Sequence, residues 1–167
     1  MSDLEKMDAL AGELADLAQQ HDLTVAAAES LTSGAVASAL GRAPRASVWF
    51  AGGVVAYSTR VKQRVLGVAT DQVVTEEAAV ELARGVASLL EADLAVSVTG
   101  VGGPDSEEGH PAGTAWLGVA SRRGAFAELH HFDGDPSAVV QETTLAALRL
   151  ALTEARRLAP SDSGQVS

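Results

Sequence analysis

The 167-residue sequence contains no cysteine, which excludes disulfide bonds and thiolate metal ligands. Aromatic residues make up only 4% of the chain, whereas hydrophobic residues make up 47%, so the core must consist mainly of alanine, valine and leucine. No apolar run approaches the roughly 20 residues that a membrane-spanning helix needs. The first twenty residues carry acids and no basic segment, which argues against a secretory signal. We therefore expect a cytoplasmic protein without a membrane partner.

Acidic residues are missing from one long window, which runs from Ser30 to Thr70. The whole chain has a net charge of −10, which is unfavourable for nucleic-acid binding. The window nevertheless holds five of the twelve basic residues, namely Arg42, Arg45, Arg60, Lys62 and Arg64. A local positive field on an acidic protein suits a small anionic ligand, and a solvated basic face is the alternative interpretation.

The hydrophobic pattern predicts nine elements in the order α-β-α-β-α-β-β-β-α. Helices are predicted at 3–20, 32–41 and 75–91, and a last helix follows Asp135 and Pro136, a favourable helix start. Strands are predicted at 23–28, 48–58, 94–98, 113–121 and 125–132. The length fits one domain, and the order predicts a three-layer α/β/α domain with a mixed, mostly parallel sheet over 1–159. Residues 160–167 are expected to form a polar, frayed tail.

The segment from Ala26 to Val36 carries the first functional signal. A small apolar strand ends in Glu29, and a turn rich in hydroxyl groups and glycine precedes a helix. The first N–H groups of such a helix are unpaired and carry a partial positive charge, so they bind an anion or a developing oxyanion. Ser30, Thr32 and Ser33 contribute three hydroxyl groups to this turn. We predict that the chemistry takes place here.

A serine, a tyrosine and a lysine form the candidate catalytic set. A neutral lysine activates a serine when burial or nearby cations lower the pKa of the lysine. Lys62 has Arg60 and Arg64 close in sequence, and Tyr57 lies at the end of a predicted strand. In the alternative interpretation, Ser30 is only a helix cap, Tyr57 is a core ring and Lys62 is a solvated side chain.

Other catalytic motifs are absent. The segment Gly100–Gly103 is not a dinucleotide fingerprint, because the third glycine would fall at Asp105 and no helix is predicted there. A phosphate-binding P-loop and a Gly-x-Ser-x-Gly elbow are missing, and the four histidines lack the spacing of a metal site. The acidic, glycine-containing stretch from Asp105 to Pro111 is predicted to be a mobile loop. We therefore predict neither a metal ion nor a cofactor.

Three segments in chain order carry a family resemblance. They are Ala-Glu-Ser-Leu-Thr-Ser-Gly at 28–34, Gly-Val-Val-Ala-Tyr-Ser at 53–58 followed by Lys62, and Thr-Gly-Val-Gly-Gly-Pro at 99–104. These segments resemble the three motifs of the CinA C-terminal domain family, and the resemblance extends from about residue 8 to residue 155. It implies nicotinamide-mononucleotide deamidase activity, in which the amide is hydrolysed to the acid and ammonia is released. Some family members carry an additional N-terminal domain, and this chain resembles the stand-alone form.

The resemblance also implies site residues. Ser30 would be the nucleophile of a metal-independent mechanism, with Tyr57 and Lys62 as its activating partners. The ligand would be a small phosphorylated nucleotide, and no cofactor is implied. The alanine- and valine-rich elements are compatible with a homo-oligomer. The predicted substrate-binding residues are Glu29, Thr32, Ser33, Gly34, Arg60, Thr99, Gly100, Gly102 and Gly103.

The chain departs from the family pattern at the start of the last helix. The usual Gly-Asp-Arg-x-x-Val-Arg is Gly-Asp-Pro-Ser-Ala-Val-Val at 134–140, so both arginines are missing. An arginine–phosphate contact is charge-assisted and is not easily replaced. Three outcomes stay open: Arg42, Arg45 or Arg60 replaces the contact, phosphate affinity is reduced, or the ligand differs. The alternative to an enzyme is therefore a non-catalytic or altered-specificity protein that binds pyridine nucleotides.

Overall fold

The computed structural model describes residues 1–160, and this range contains six helices and five strands. The predicted tail lies outside the described residues except for Pro160. Helix α1 (Asp3–Gln20) matches its predicted bounds, and the short helix α3 (Ala46–Trp49) was not predicted. Helix α4 (Thr59–Leu66) corresponds to the short helical turn that the sequence predicts to carry Lys62 and to end at Leu66. The elements are α1 (Asp3–Gln20), β1 (Val25–Glu29), α2 (Ala35–Arg42), α3 (Ala46–Trp49), β2 (Phe50–Val55), α4 (Thr59–Leu66), α5 (Glu76–Leu89), β3 (Leu94–Gly100), β4 (Thr114–Ser121), β5 (Gly124–His131) and α6 (Pro136–Leu158).

The five strands form one mixed sheet in the order β2-β1-β3-β4-β5. Strands β2, β1 and β3 are parallel, whereas β4 pairs antiparallel with both β3 and β5. The carboxyl ends of the three parallel strands therefore meet at one edge of the sheet. Ligands of open α/β sheets bind at such an edge. The predicted α/β class with a mixed sheet is confirmed.

Helices cover both faces of the sheet, because successive residues of a buried strand point to opposite sides. Val25 and Ala27 of β1 pack in the larger core, to which α1, α2 and α6 also contribute. Ala26 and Ala28 point to the other face and pack with residues of α4 and α5. The small alanine side chains of β1 allow both helix layers to lie close to the central strand.

Two predicted helix starts are confirmed by their caps. The Thr75 hydroxyl accepts a hydrogen bond from the Ala78 N–H at 3.1 Å, at the start of α5. The Asp135 carboxylate accepts one from the Ala138 N–H at 2.9 Å, and Pro136 is the first residue of α6. Such caps satisfy N–H groups that have no partner inside the helix.

The second strand is shorter than the predicted 48–58. It begins at Phe50, because the preceding residues form the short helix α3. The buried Trp49 ends this helix, and its indole N–H donates to the Pro44 carbonyl at 3.1 Å. No helix within residues 1–160 combines the length and the apolar character needed to cross a membrane.

Candidate active site

A cavity of about 350 Å³ lies where the three parallel strands end. Ser30 and Leu31 line it directly after β1, and Tyr57 lines it after β2. Thr99 and Gly100 line it from the end of β3. Lys62 of α4, Gly102, Gly103, Glu107 and Glu108 also contribute to the wall. The structure thus brings the three predicted catalytic residues and four of the predicted binding residues around one cavity.

Ser30 is held in a tight turn between β1 and α2. The Ser30 carbonyl accepts a hydrogen bond from the Ser33 N–H at 3.0 Å, and Ser30 is only 7% exposed. Ser33 and Gly34 both have positive φ angles, 51° and 103°. This backbone region is the natural one for glycine, and it reverses the chain towards α2. Within residues 1–160 the Ser30 hydroxyl makes no hydrogen bond, so it is available to a ligand in the cavity.

Glu29 closes the start of α2. One of its carboxylate oxygens accepts hydrogen bonds from the Thr32 hydroxyl at 2.6 Å and the Val36 N–H at 2.8 Å. The other accepts from the Ala37 N–H at 2.9 Å, and the residue is only 2% exposed. The prediction that the first N–H groups of this helix are open to an anion is therefore wrong for Val36 and Ala37. Glu29 and Thr32 therefore stabilise the turn through these hydrogen bonds, and neither residue lines the cavity.

Lys62 is buried, with 2% of its surface exposed, and its amine donates a hydrogen bond to the Tyr57 carbonyl at 2.9 Å. Burial lowers the pKa of Lys62, whereas the carboxylates of Glu108 and Glu107 act in the opposite direction. No carboxylate among the described residues lies within ion-pair distance of this amine. A buried amine without a counter-ion favours the neutral form, which is the form that accepts a proton.

The physical cause of this lowered pKa differs from the sequence-based expectation. Arg60 and Arg64 were expected to disfavour the charged lysine, but both are exposed on α4, and desolvation has the effect instead. Tyr57 is 68% exposed and its backbone carbonyl, rather than its phenol, contacts Lys62. Lys62 is thus not a solvated side chain, and Tyr57 is not a core ring.

The loop after β3 forms the opposite wall of the cavity. Thr99 donates its hydroxyl hydrogen to the Val73 carbonyl at 2.6 Å. A Cβ atom at Gly100 would lie 2.8 Å from both the Ala115 Cα and a Leu31 methyl group. Only glycine therefore fits at the end of β3. This close packing fixes the distance between the loop and the Ser30 turn.

The acidic segment from Asp105 to Pro111 is anchored to the chain before α5. The Glu108 carboxylate accepts hydrogen bonds from the Val73 N–H at 2.9 Å and the Val74 N–H at 2.7 Å. The structure thus gives this predicted mobile loop a fixed attachment. Glu107 and Glu108 were not predicted as site residues, although both line the cavity. No local pattern could have revealed them, because the contact joins residues 34 and 35 positions apart.

Most basic residues of the acid-free segment from Ser30 to Thr70 lie away from the cavity. Among the residues that the structure describes, Lys62 is the only lysine or arginine in the cavity wall. Arg42 pairs with Asp8 of α1 at 3.0 Å, and Arg45 and Arg60 are exposed outside the wall. The predicted binding residues Ser33 and Gly34 also lie outside the wall. The described part of the chain contains no group of three or more His, Asp or Glu side chains that could hold a metal ion.

Comparison with known proteins places these residues in a wider context. The model of the CinA C-terminal domain family matches residues 7–155. A competence-damage inducible protein from Lacticaseibacillus casei is 41% identical over 152 residues, which cover 87% of this chain. These residues cover 37% of the Lacticaseibacillus protein, so the chain spans a little over a third of the length of that relative.

Solved structures show the same fold. A competence-damaged protein (CinA) superfamily protein from Klebsiella pneumoniae has a TM-score of 0.85 and 28% identity, and the match covers 90% of this chain and 98% of that one. A CinA superfamily protein from Escherichia coli has a TM-score of 0.82 and 30% identity. That match covers 95% of this chain and 94% of the Escherichia coli chain.

Proposed function

Because the chain belongs to the CinA C-terminal domain family, we propose that it is a nicotinamide-nucleotide amidohydrolase. It converts nicotinamide mononucleotide to nicotinic acid mononucleotide and ammonia. The observation that supports this proposal best is the shared cavity of Ser30 and Lys62. Ser30 offers a hydroxyl without a protein partner, and Lys62 offers a buried amine with a lowered pKa. An amine with a lowered pKa is a suitable base to take the proton of a serine hydroxyl and so activate it as a nucleophile.

In the first half of the reaction, the Ser30 oxygen attacks the carboxamide carbon of the substrate, and the Lys62 amine takes the hydroxyl proton. The carbonyl oxygen becomes an oxyanion. Within residues 1–160, the N–H groups of Leu31 and Thr32 have no acceptor, and Leu31 lines the cavity. They are candidates to stabilise this oxyanion, in place of the α2 N–H groups that Glu29 occupies.

In the second half, Lys62 gives its proton to the amide nitrogen, the carbon–nitrogen bond breaks, and ammonia leaves. The acyl group stays on the Ser30 oxygen as an ester. A water molecule then attacks this ester while Lys62 takes a proton from the water. The serine–acyl bond breaks, Lys62 returns the proton to the serine oxygen, and the acid product leaves.

The test is ammonia release from nicotinamide mononucleotide by the purified chain and by two variants. We expect Ser30→Ala to lower kcat by about a thousandfold or more, because the nucleophile is lost. Lys62→Met is expected to lower kcat by at least about a hundredfold, which is the contribution of a positioned general base. Full activity in the Ser30→Ala protein would refute the nucleophile assignment.

Two matched variants control for general effects of substitution. Ser88→Ala removes an exposed hydroxyl on α5, and Lys6→Met removes an exposed amine on α1, so both are expected to keep the original rate. Thermal stabilisation by the nucleotide without any ammonia release would instead support a non-catalytic binding protein. That outcome would refute the enzymatic proposal.

A further inference from the structure

The charges of the cavity wall are unusual for a site that binds a phosphorylated ligand. Glu107 and Glu108 contribute two carboxylates. Lys62 is the only basic side chain in the wall among the described residues, and burial favours its neutral form. Two carboxylates against one amine leave the wall with a net negative charge even when the amine is protonated. A phosphate dianion would meet repulsion there, whereas a cation would be attracted.

The starts of two helices near the cavity offer few free N–H groups that could offset this repulsion of a phosphate. The start of α2 is closed by the Glu29 carboxylate, which takes the Val36 and Ala37 N–H groups. The start of α6 approaches Gly103, since a Cβ atom there would lie 4.0 Å from the Pro136 ring. At that start the Asp135 carboxylate takes the Ala138 N–H group, and Pro136 has no N–H group to offer.

One helix start remains in the wall without a carboxylate. Ser58 and Thr59, at the start of α4, line the cavity, and the Ser58 hydroxyl already accepts a hydrogen bond from the Val61 N–H at 3.2 Å. A helix start carries a partial charge of about +0.5. Two full negative charges on Glu107 and Glu108 outweigh it. The balance of the site therefore remains negative.

This inference rests on the function proposed above and identifies its substrate class. We propose that the cavity recognises the positively charged N-ribosyl pyridinium ring through Glu107 and Glu108, and that the 5′-phosphate contributes nothing to recognition. The ring nitrogen of a ribosylated nicotinamide is quaternary and carries one positive charge. The unphosphorylated nicotinamide riboside carries the same ring and the same carboxamide, so it is a substrate of the same site.

The ring charge also favours the chemistry at Lys62. A cation in the cavity disfavours the ammonium form of a nearby lysine, because like charges repel. A phosphate dianion at the same place would favour the ammonium form and remove the base. Binding of the pyridinium ring therefore keeps the Lys62 amine able to accept the Ser30 proton, and the phosphate lies best outside the cavity.

The experiment compares ammonia release from nicotinamide riboside and from nicotinamide mononucleotide by the same preparation. We expect kcat/KM for the riboside to equal or exceed that for the mononucleotide. A higher kcat/KM for the mononucleotide would overturn the inference while leaving the proposed amidohydrolase intact. Ammonia release from neither compound would refute the proposed function, and the inference would fall with it.

A charge variant tests the role of the acidic loop. Glu107→Gln removes one negative charge from the wall, and the exposed position makes a folding defect unexpected. The kcat/KM for nicotinamide riboside is expected to fall by about threefold to tenfold, because the pyridinium ring loses one of its two carboxylate partners. The matched control is Glu91→Gln, which makes the same change just before β3, at the opposite end of that strand. An equal fall of this kcat/KM in both variants, or no fall in Glu107→Gln, would overturn the inference.

Discussion

Replacing Lys62 by methionine is expected to stabilise the protein at neutral pH while it lowers kcat by at least about a hundredfold. Lys62 is 2% exposed, and within residues 1–160 its amine has one hydrogen-bond partner, the Tyr57 carbonyl at 2.9 Å. Methionine has a similar length and needs no hydrogen bond, so it fills the same space without desolvating a charge. Tyr57 is exposed, and its freed carbonyl can bond to water. The loss of that one hydrogen bond costs only about 1 kcal/mol.

The gain depends on pH in a direction that follows from the lowered pKa of Lys62. Between the folded-state pKa and the unfolded value near 10.4, the unfolded chain binds one proton more than the folded chain. The stability of the original protein therefore rises with pH in this window, by up to about 1.4 kcal/mol per pH unit. The stabilisation by Lys62→Met is largest at and below the folded-state pKa and shrinks as the pH rises towards the unfolded value.

The assay is urea unfolding of both proteins at a series of pH values from about 7 to about 10. The difference in free energy of unfolding should narrow as the pH rises. Lys6→Met, which removes a half-exposed amine paired with Asp3, should show no comparable pH dependence. A difference for Lys62→Met that stays constant over this range would refute the reasoning, because it would mean that burial does not shift the lysine.

Further outcomes are expected for substitutions of Glu29 and of two glycines, and for the pH dependence of the reaction rate. Glu29→Gln should destabilise the protein by about 1–3 kcal/mol in urea unfolding, because its amide nitrogen would face the Ala37 N–H, two donors without an acceptor. Gly100→Ala should lose both stability and activity, whereas Gly12→Ala, where a Cβ meets nothing within 4 Å, should gain about 0.5–1 kcal/mol. The kcat/KM for deamidation should rise with pH to a plateau that is reached below the ordinary lysine pKa of about 10.4, as measured by a pH–rate profile of ammonia release.

The fold could be predicted from the sequence where the signals are local. The apolar spacing gave α1 its bounds, and Thr75 and Asp135 marked the starts of α5 and α6 through caps that span three residues. The start of β2 was missed because Val48, Trp49 and Phe50 are all typical strand residues, yet the first two belong to α3. The indole N–H of Trp49 donates to the Pro44 carbonyl five residues earlier, a specific contact that strand propensity does not express.

The cavity residues could be predicted only in part. Ser30, Tyr57 and Lys62 could be placed together because each follows or flanks the carboxyl end of a parallel strand, where side chains converge. The charge of the site could not be predicted, because it depends on distant contacts. Glu108 joins the cavity through a contact with the chain before α5, and Arg42 is diverted to Asp8 on another helix. The sequence gives the number of charged residues in a segment, but it does not show which surface of the folded protein carries them.

In this protein, carboxylates bind backbone N–H groups of the kind that bind phosphate at many nucleotide sites. Glu29, Glu108 and Asp135 each accept hydrogen bonds from backbone N–H groups next to the cavity, two pairs and one single group. Each of these hydrogen bonds orders a turn. It also occupies a backbone N–H group that would otherwise be available to an anion. For Glu108, the bonds that hold the loop in place also hold a negative charge in the cavity wall. The proposed preference for a cationic ring thus has the same physical origin as the rigidity of this loop. A stronger phosphate site would require arginine side chains, and the described wall contains none.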